Sequence, residues 1–174
     1  GQNILRKSKK DTRYYQPQYN SSCEKIAWAE NKFGKYFIKV KDLKTGKTSL
    51  IYKREHKLEQ ITDYSYPLIK WHPSGIVLGF MIEKKGEIYF ITYNFDNKEL
   101  KEIEMTALEK VNSFDYSHDG MNLVIAGFNN GQSDIFIFNI LANTLVNITQ
   151  DNADDYTPLY VNQSKQIIFG SKRK

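Results

Sequence analysis

The amino-acid sequence predicts an all-β chain built from repeated, stacked four-stranded sheets. Three observations carry that expectation. Short runs rich in Ile, Val, Phe and Tyr recur along the chain, bounded by Gly, Asn, Asp, Ser or Lys. Several of these runs, such as Ile88-Tyr89-Phe90-Ile91 and Ile135-Phe136-Ile137-Phe138, are apolar on both faces, as strands covered on both sides are. Finally, an aromatic residue followed by a polar turn and a buried strand comes back four times, the aromatics lying 52, 45 and 44 residues apart.

The units read in order. In the first, the turn Tyr19-Asn20-Ser21-Ser22 precedes the strand Lys25-Ile26-Ala27-Trp28, and a further strand spans Tyr36 to Leu43. Its last strand is either Leu50-Ile51-Tyr52, by distance, or Leu58 to Thr62, by likeness to Leu145-Val146-Asn147-Ile148-Thr149. An insertion of roughly seven or eight residues would account for the longer first spacing. The second unit runs from Trp71-His72-Pro73-Ser74-Gly75 through Gly75 to Ile82, Glu87 to Asn94 and Leu100-Lys101-Glu102-Ile103. The third runs from Tyr116-Ser117-His118-Asp119-Gly120 through Leu123 to Phe128, Asp134 to Ile140 and Leu145 to Thr149. The fourth has only Tyr160-Val161-Asn162-Gln163-Ser164 and Gln166-Ile167-Ile168-Phe169. Thr106 to Val111 is the one helix-like stretch, of one to two turns.

Four strands in about 45 residues is the period of a β-propeller blade. A lone four-stranded sheet cannot bury two apolar faces, so its neighbours must stack on it. A β-sandwich would supply the strands without the period of four. The expected fold is a partial β-propeller: blade 1 over 13–66, blade 2 over 67–111, blade 3 over 112–154 and a half blade over 155–174, after a basic segment over 1–12. Within that segment Ile4-Leu5-Arg6-Lys7 is expected as an outer strand or as the closure of the last blade.

Composition excludes several classes. At 40% hydrophobic and 14% aromatic, the 174-residue chain is too apolar for a disordered one. Its best apolar run, Ile76 to Ile82, falls far short of a membrane helix. The single cysteine, Cys23, forms no internal disulfide, and no Cys/His spacing suits zinc. The net charge of +5 is uneven: residues 1–60 balance to +9 and residues 61–174 to −4. Arg6-Lys7, Lys9-Lys10 and the ladder Lys35, Lys39, Lys41, Lys44 and Lys47 carry the excess. The ladder reads as the solvent side of a strand that resists edge-to-edge pairing, so no nucleic-acid partner is expected. The chain opens at Gly1 with no hydrophobic leader, as a trimmed chain or an exported protein freed of its leader would.

The turn motifs resemble those of the TolB-like propeller repeat, a Pro and an aromatic, then Ser-Pro-Asp-Gly, then an apolar strand. Tyr116 to Gly120 keeps Ser, Asp and Gly, and Trp71 to Gly75 keeps Trp, Pro and Gly. Gln16-Pro17-Gln18-Tyr19 and Thr157-Pro158-Leu159-Tyr160 keep Pro-x-aromatic, while Ser133-Asp134-Ile135-Phe136 looks like the family's Asp-Ile-Tyr strand. The stretch from Asn147-Ile148-Thr149 to Pro158 looks like its Leu-Thr, acidic loop, Pro junction. The resemblance covers about residues 13–171 and implies roughly six or more blades in a complete propeller, so this chain would be about half of one. Gly75, Asp119 and Gly120 are expected to shape tight hairpins, and Tyr19, Trp71, Tyr116 and Tyr160 to wedge between blades. An open half-propeller exposes sheet edges, which predicts a homodimer.

Chemistry-bearing motifs are sparse. The sequence has no Gly-x-Ser-x-Gly elbow or His-Glu-x-x-His, and its histidines, His56, His72 and His118, are scattered. Neither catalytic residues nor a cofactor are expected. One cluster stands out, Asp151-Asn152-Ala153-Asp154-Asp155-Tyr156, with three carboxylates in five residues. A propeller places this connector on the same face as Asp63-Tyr64, Asn31-Lys32 and Asn129-Asn130-Gly131. The expected binding rim is therefore Asp63, Tyr64, Asn129, Asn130, Asp151, Asp154, Asp155 and Tyr156. No metal is expected, although Asp151, Asp154 and Asp155 would be the ligands of a calcium ion if one bound.

The TolB resemblance implies a non-catalytic scaffold for protein partners in the periplasm or cell envelope. The alternative is the propeller portion of a prolyl-oligopeptidase-like hydrolase or a propeller polysaccharide lyase. The first needs a catalytic domain, and the second needs clustered histidines and basic residues in the channel.

Overall fold

The computed structural model describes residues 10–54, 63 and 65–173. Arg6-Lys7, Lys9, the Ile4 to Lys7 segment, His56, Leu58 to Thr62 and Tyr64 lie outside the described residues. The described chain is all β. The first sheet holds β1 (Arg13–Tyr19), β2 (Lys25–Lys32), β3 (Lys35–Asp42) and β4 (Thr48–Arg54). The second holds β5 (Leu68–Trp71), β6 (Val77–Lys84), β7 (Glu87–Asn94) and β8 (Leu100–Glu104). The third holds β9 (Lys110–Tyr116), β10 (Asn122–Asn129), β11 (Gln132–Asn139) and β12 (Thr144–Asn147), and β13 (Asp155–Val161) pairs with β14 (Gln166–Ser171) alone. Within each sheet the strands follow in chain order and pair antiparallel, the meander of a propeller blade.

One local expectation is overturned and one open choice is decided. Thr106 to Val111 is not helical: the Leu108 amide closes a turn on the Met105 carbonyl at 2.9 Å, and β9 begins at Lys110. Met105 and Leu108 are both buried, so tertiary burial bends this connector and overrides its weak local helical preference. The fourth strand of the first unit is Thr48–Arg54, the nearer of the two choices.

Alternation along each strand sends side chains into two different interfaces, which is why the strands are apolar on both faces. In β6, Leu78, Phe80 and Ile82 pack with Ala27, Ala29, Ile38 and Val40 of the first sheet. Met81 of the same strand joins Phe90, Phe114, Leu123 and Ile125 between the second and third sheets. In β10, Val124 and Ala126 turn the other way, onto Tyr160, Ile167 and Phe169 of the last sheet.

The recurrent turns share one backbone shape. The fourth residue after each aromatic has positive φ: Cys23 at 56°, Gly75 at 74°, Gly120 at 75° and Ser164 at 68°. Each turn also rests on the one before it. The Gly75 carbonyl accepts Asn20 Nδ2 at 3.2 Å, a Cβ on Gly120 would lie 1.8 Å from His72 Nε2, and the His118 amide donates to Ser164 Oγ at 2.5 Å. Glycine therefore serves twice at 75 and 120, for φ and for close approach.

Three of the repeat aromatics lie between sheets. Trp71 donates Nε1 to the Gln18 carbonyl at 2.9 Å and stacks on Phe95. Tyr116 is buried edge-on to His72 and Phe90, and Tyr160 is half-buried on the Val124 cluster. Tyr19 departs from the wedge expectation. It is 58% exposed, because no described sheet precedes the first one to receive it.

His72 makes the joint between the second and third sheets sensitive to acid. The Ser74 amide donates to its Nδ1 at 3.1 Å, which holds the neutral ring. Burial pushes its pKa below the ordinary value of 6.5, outweighing the Gly120 backbone and Asp119, which pull it up. A depressed pKa means that the unfolded chain binds the proton more readily, so this contribution is intact above pH ~6.5 and fades as pH falls through the folded pKa. The urea midpoint should therefore drop between pH 7.5 and pH 5.5, and drop less in His72→Asn; equal drops in both proteins would refute this role.

Candidate protein-binding rim

Successive antiparallel strands reverse direction, so the connectors β4–β5, β8–β9 and β12–β13 emerge on one face together with the hairpins β2–β3, β6–β7 and β10–β11. The described residues of the expected rim all lie there, spread over three connecting regions.

At the first, Asp63 accepts the Ser65 amide at 2.8 Å and its hydroxyl at 2.6 Å, and pairs with Lys110 Nζ at 3.0 Å across to the third sheet. Partial burial opposes the charge on Asp63, but Ser65 and Lys110 overcome it and leave the carboxyl below the usual range. At the second, Asn129 pairs with Gln132 across a two-residue turn in which Asn130 and Gly131 have φ of 54° and 78°. Both values are those of a type I′ hairpin, for which Asn-Gly is the favoured pair. The Asn130 amide donates to Glu109 Oε1 at 3.2 Å, tying hairpin to connector.

The acidic connector is held by the two cations that follow β14, Lys172 and Arg173. Arg173 Nε donates to Asp151 Oδ2 at 2.6 Å, its Nη2 to Asp155 Oδ2 at 3.0 Å, and Lys172 Nζ to Asp154 Oδ2 at 2.9 Å. The Ala153 amide and Arg173 hold Asp151 below the usual carboxylate range, and Lys172 does so for Asp154. Gln132 Nε2 bridges Asp134 Oδ1, at 3.0 Å, to the Asp151 carbonyl. Asn147 Nδ2 bonds Asp134 Oδ2 at 2.7 Å, and Ser133 Oγ bonds the Asp155 carbonyl at 2.7 Å. Tyr156 is half-buried over Gly170, with Lys172 Nζ 5.7 Å from its ring centre.

The three carboxylates named for a calcium ion are occupied by protein cations in this geometry. Asp151 and Asp155 meet on Arg173 Nη2, while Asp154 turns to Lys172 Nζ, and a metal would have to displace these cations. Among the described residues, no group of three or more His, Cys, Asp or Glu is placed to hold an ion. The lysine ladder also needs one amendment. Lys39 Nζ reaches the buried Glu30 Oε2 at 2.7 Å, whose other oxygen accepts Trp28 Nε1 at 2.9 Å. His72 and His118 occupy turns on the opposite face, away from this rim.

Sequence reasoning missed Arg173, Gln132, Asp134 and Asn147, which brace the connector. A legible hint existed: Lys172-Arg173 follow the last strand of a half blade whose connector carries three acids.

No protein-family model and no curated protein sequence matches the chain. Solved structures do match in shape. The chain is similar to TolB from Acinetobacter baumannii with a TM-score of 0.72 at 15% identity, over 90% of this chain and 37% of that one. It is similar to the β-propeller domain of the Trilobed protease from Pyrococcus furiosus with a TM-score of 0.61 at 13% identity, over 93% and 54%. A third likeness is to Pyrococcus horikoshii acylaminoacyl peptidase, with a TM-score of 0.55 at 14% identity, over 84% and 26%. The fold is a TolB-like partial β-propeller. This propeller segment spans between about a quarter and about half of the length of those chains.

Proposed function

We propose that the propeller segment is a non-catalytic scaffold that binds a protein partner in the cell envelope through its polar rim. One observation carries this reading: the rim is braced from within, by Asp63 on Lys110, Glu109 on Asn130, and Arg173 on Asp151 and Asp155. A surface already held in shape loses little conformational freedom on docking, which suits a binding face. Among the described residues of the expected rim, the carboxylates of Asp63, Asp151, Asp154 and Asp155 are engaged by Lys110, Arg173 and Lys172. The envelope setting rests on the likeness to TolB, and likeness of fold does not fix function, so the partner must be sought at the site itself.

The test is a photo-crosslinking residue at Asn152, an exposed position of the acidic connector, in the chain as produced in cells. A discrete protein adduct from the envelope fraction, lost in Asp154→Lys, is expected. Absence of any adduct, with peptide hydrolysis by the purified protein, would reject the scaffold and favour the hydrolase-propeller reading.

Self-association belongs to the same proposal. Leu159 and Ile168 are exposed cross-strand partners on the last sheet, and β14 pairs with no strand but β13 among the described residues. Sedimentation equilibrium should give a dimer that Ile168→Lys converts to monomer. A monomer at every concentration would remove this part.

A further inference from the structure

Exposed apolar side chains gather on the face opposite the acidic rim, where the turns β5–β6 and β9–β10 and the hairpins β7–β8 and β11–β12 lie. Met121 is 63% exposed there and Leu141 is 95% exposed. Leu141 breaks the pattern of the repeat, its position holding Lys44 and Asp96 in the earlier units, whereas Met121 stands where the first unit has Glu24 and the second the exposed Ile76. With Phe90, Ile103 and Ile140 they wall an open cleft of about 640 Å³ between the second and third sheets.

Two further features of the cleft point to its occupant. Its outer wall is β8, an edge strand that pairs only with β7 among the described residues. Its charged lining residues are Lys101 and Glu102. Glu102 is engaged by Lys84, whereas Lys101 meets Glu99 at 3.6 Å with both side chains well exposed, a contact worth little.

We propose that this cleft docks an extended segment of a partner protein bearing two bulky apolar side chains and, after them, a carboxylate. An extended segment can add to the free edge of β8, and its period of two sends alternate side chains to one side. Two such side chains fill apolar walls of this size, and Lys101 meets the carboxylate. The inference rests on the reading of the chain as a protein-binding scaffold but uses a different surface, so the two fail separately.

The test is fluorescence anisotropy of the full chain with a labelled peptide, Thr-Leu-Thr-Phe-Thr-Asp-Thr. Saturable binding is expected, weakened at least about tenfold by Met121→Glu or Leu141→Glu, whose exposed positions leave the fold intact by circular dichroism. Lys101→Glu should weaken it too, and a peptide with Lys in place of Asp should recover binding to that variant. Asp151→Lys, on the rim, should leave it unchanged. No saturable binding, or binding untouched by Met121→Glu, would overturn the proposal. Loss with Asp151→Lys in place of Met121→Glu would also overturn it while leaving the scaffold reading standing. Self-association abolished by Met121→Glu would assign the cleft to a second copy and overturn it as well.

Discussion

Gly79→Ala should destabilise the propeller by about 2 kcal/mol, although alanine suits a strand better than glycine. Gly79 sits inside β6 with nothing unusual in its φ, and the reason it must lack a side chain comes from the next sheet. A Cβ there would lie 2.2 Å from Tyr116 Oη, 2.9 Å from Tyr116 Cζ and 3.1 Å from Phe90 Cε2. Tyr116 cannot swing aside easily, because its ring is buried against His72, Phe90 and Phe114. The steric term outweighs the roughly 0.5–1 kcal/mol that alanine gains in backbone entropy. Tyr116→Phe isolates the cause. The Tyr116 hydroxyl is buried with no hydrogen-bond partner among the described residues, so its removal alone should be neutral or stabilise by about 1 kcal/mol. It should also return much of the Gly79→Ala loss. Urea unfolding of the two single variants and the double variant measures the coupling, and strictly additive effects would show that the two residues do not share this space.

Tyr66→Phe should cost about 2 kcal/mol through one buried hydrogen bond. The Tyr66 hydroxyl accepts the Val111 amide at 2.7 Å, and both residues are buried. Without it the Val111 N–H is left in the core with no partner, which costs far more than an exposed amide would lose. Tyr66 also ties the first sheet in, since its carbonyl accepts the Tyr15 hydroxyl at 2.6 Å. One residue thereby joins β1 to β9 across the short β5. Hydrogen exchange at the Val111 amide should accelerate in Tyr66→Phe, together with a fall in the urea midpoint. An unchanged exchange rate would mean that the amide finds another acceptor and that the predicted cost is wrong.

Much of this architecture was legible along the chain. The two-sided apolar strands Glu87–Asn94 and Gln132–Asn139 announce sheets covered on both faces, and they occupy that place. The turn motif foretells positive φ at Gly75 and Gly120. It does not foretell that Cys23 and Ser164 take the same conformation without glycine: the Cys23 amide closes its turn on the Asn20 carbonyl at 2.9 Å, and Ser164 Oγ accepts the His118 amide. At the rim, the run of acids after Gln150 drew attention to this connector without showing how its carboxylates are neutralised. What it lacked was the position of Arg173, close in space and distant along the chain.

The amino-acid sequence by itself determined the strand period, the hairpin turns and the stacking of sheets, because these follow from local backbone chemistry and from side chains alternating about a strand. Tertiary structure alone decided which glycine is indispensable for space, which tyrosine hydroxyl has a partner, and which carboxylates are neutralised. Those outcomes depend on distances between residues far apart in the chain, such as Gly79 to Tyr116 and Asp155 to Arg173, and no local pattern encodes a distance of that kind.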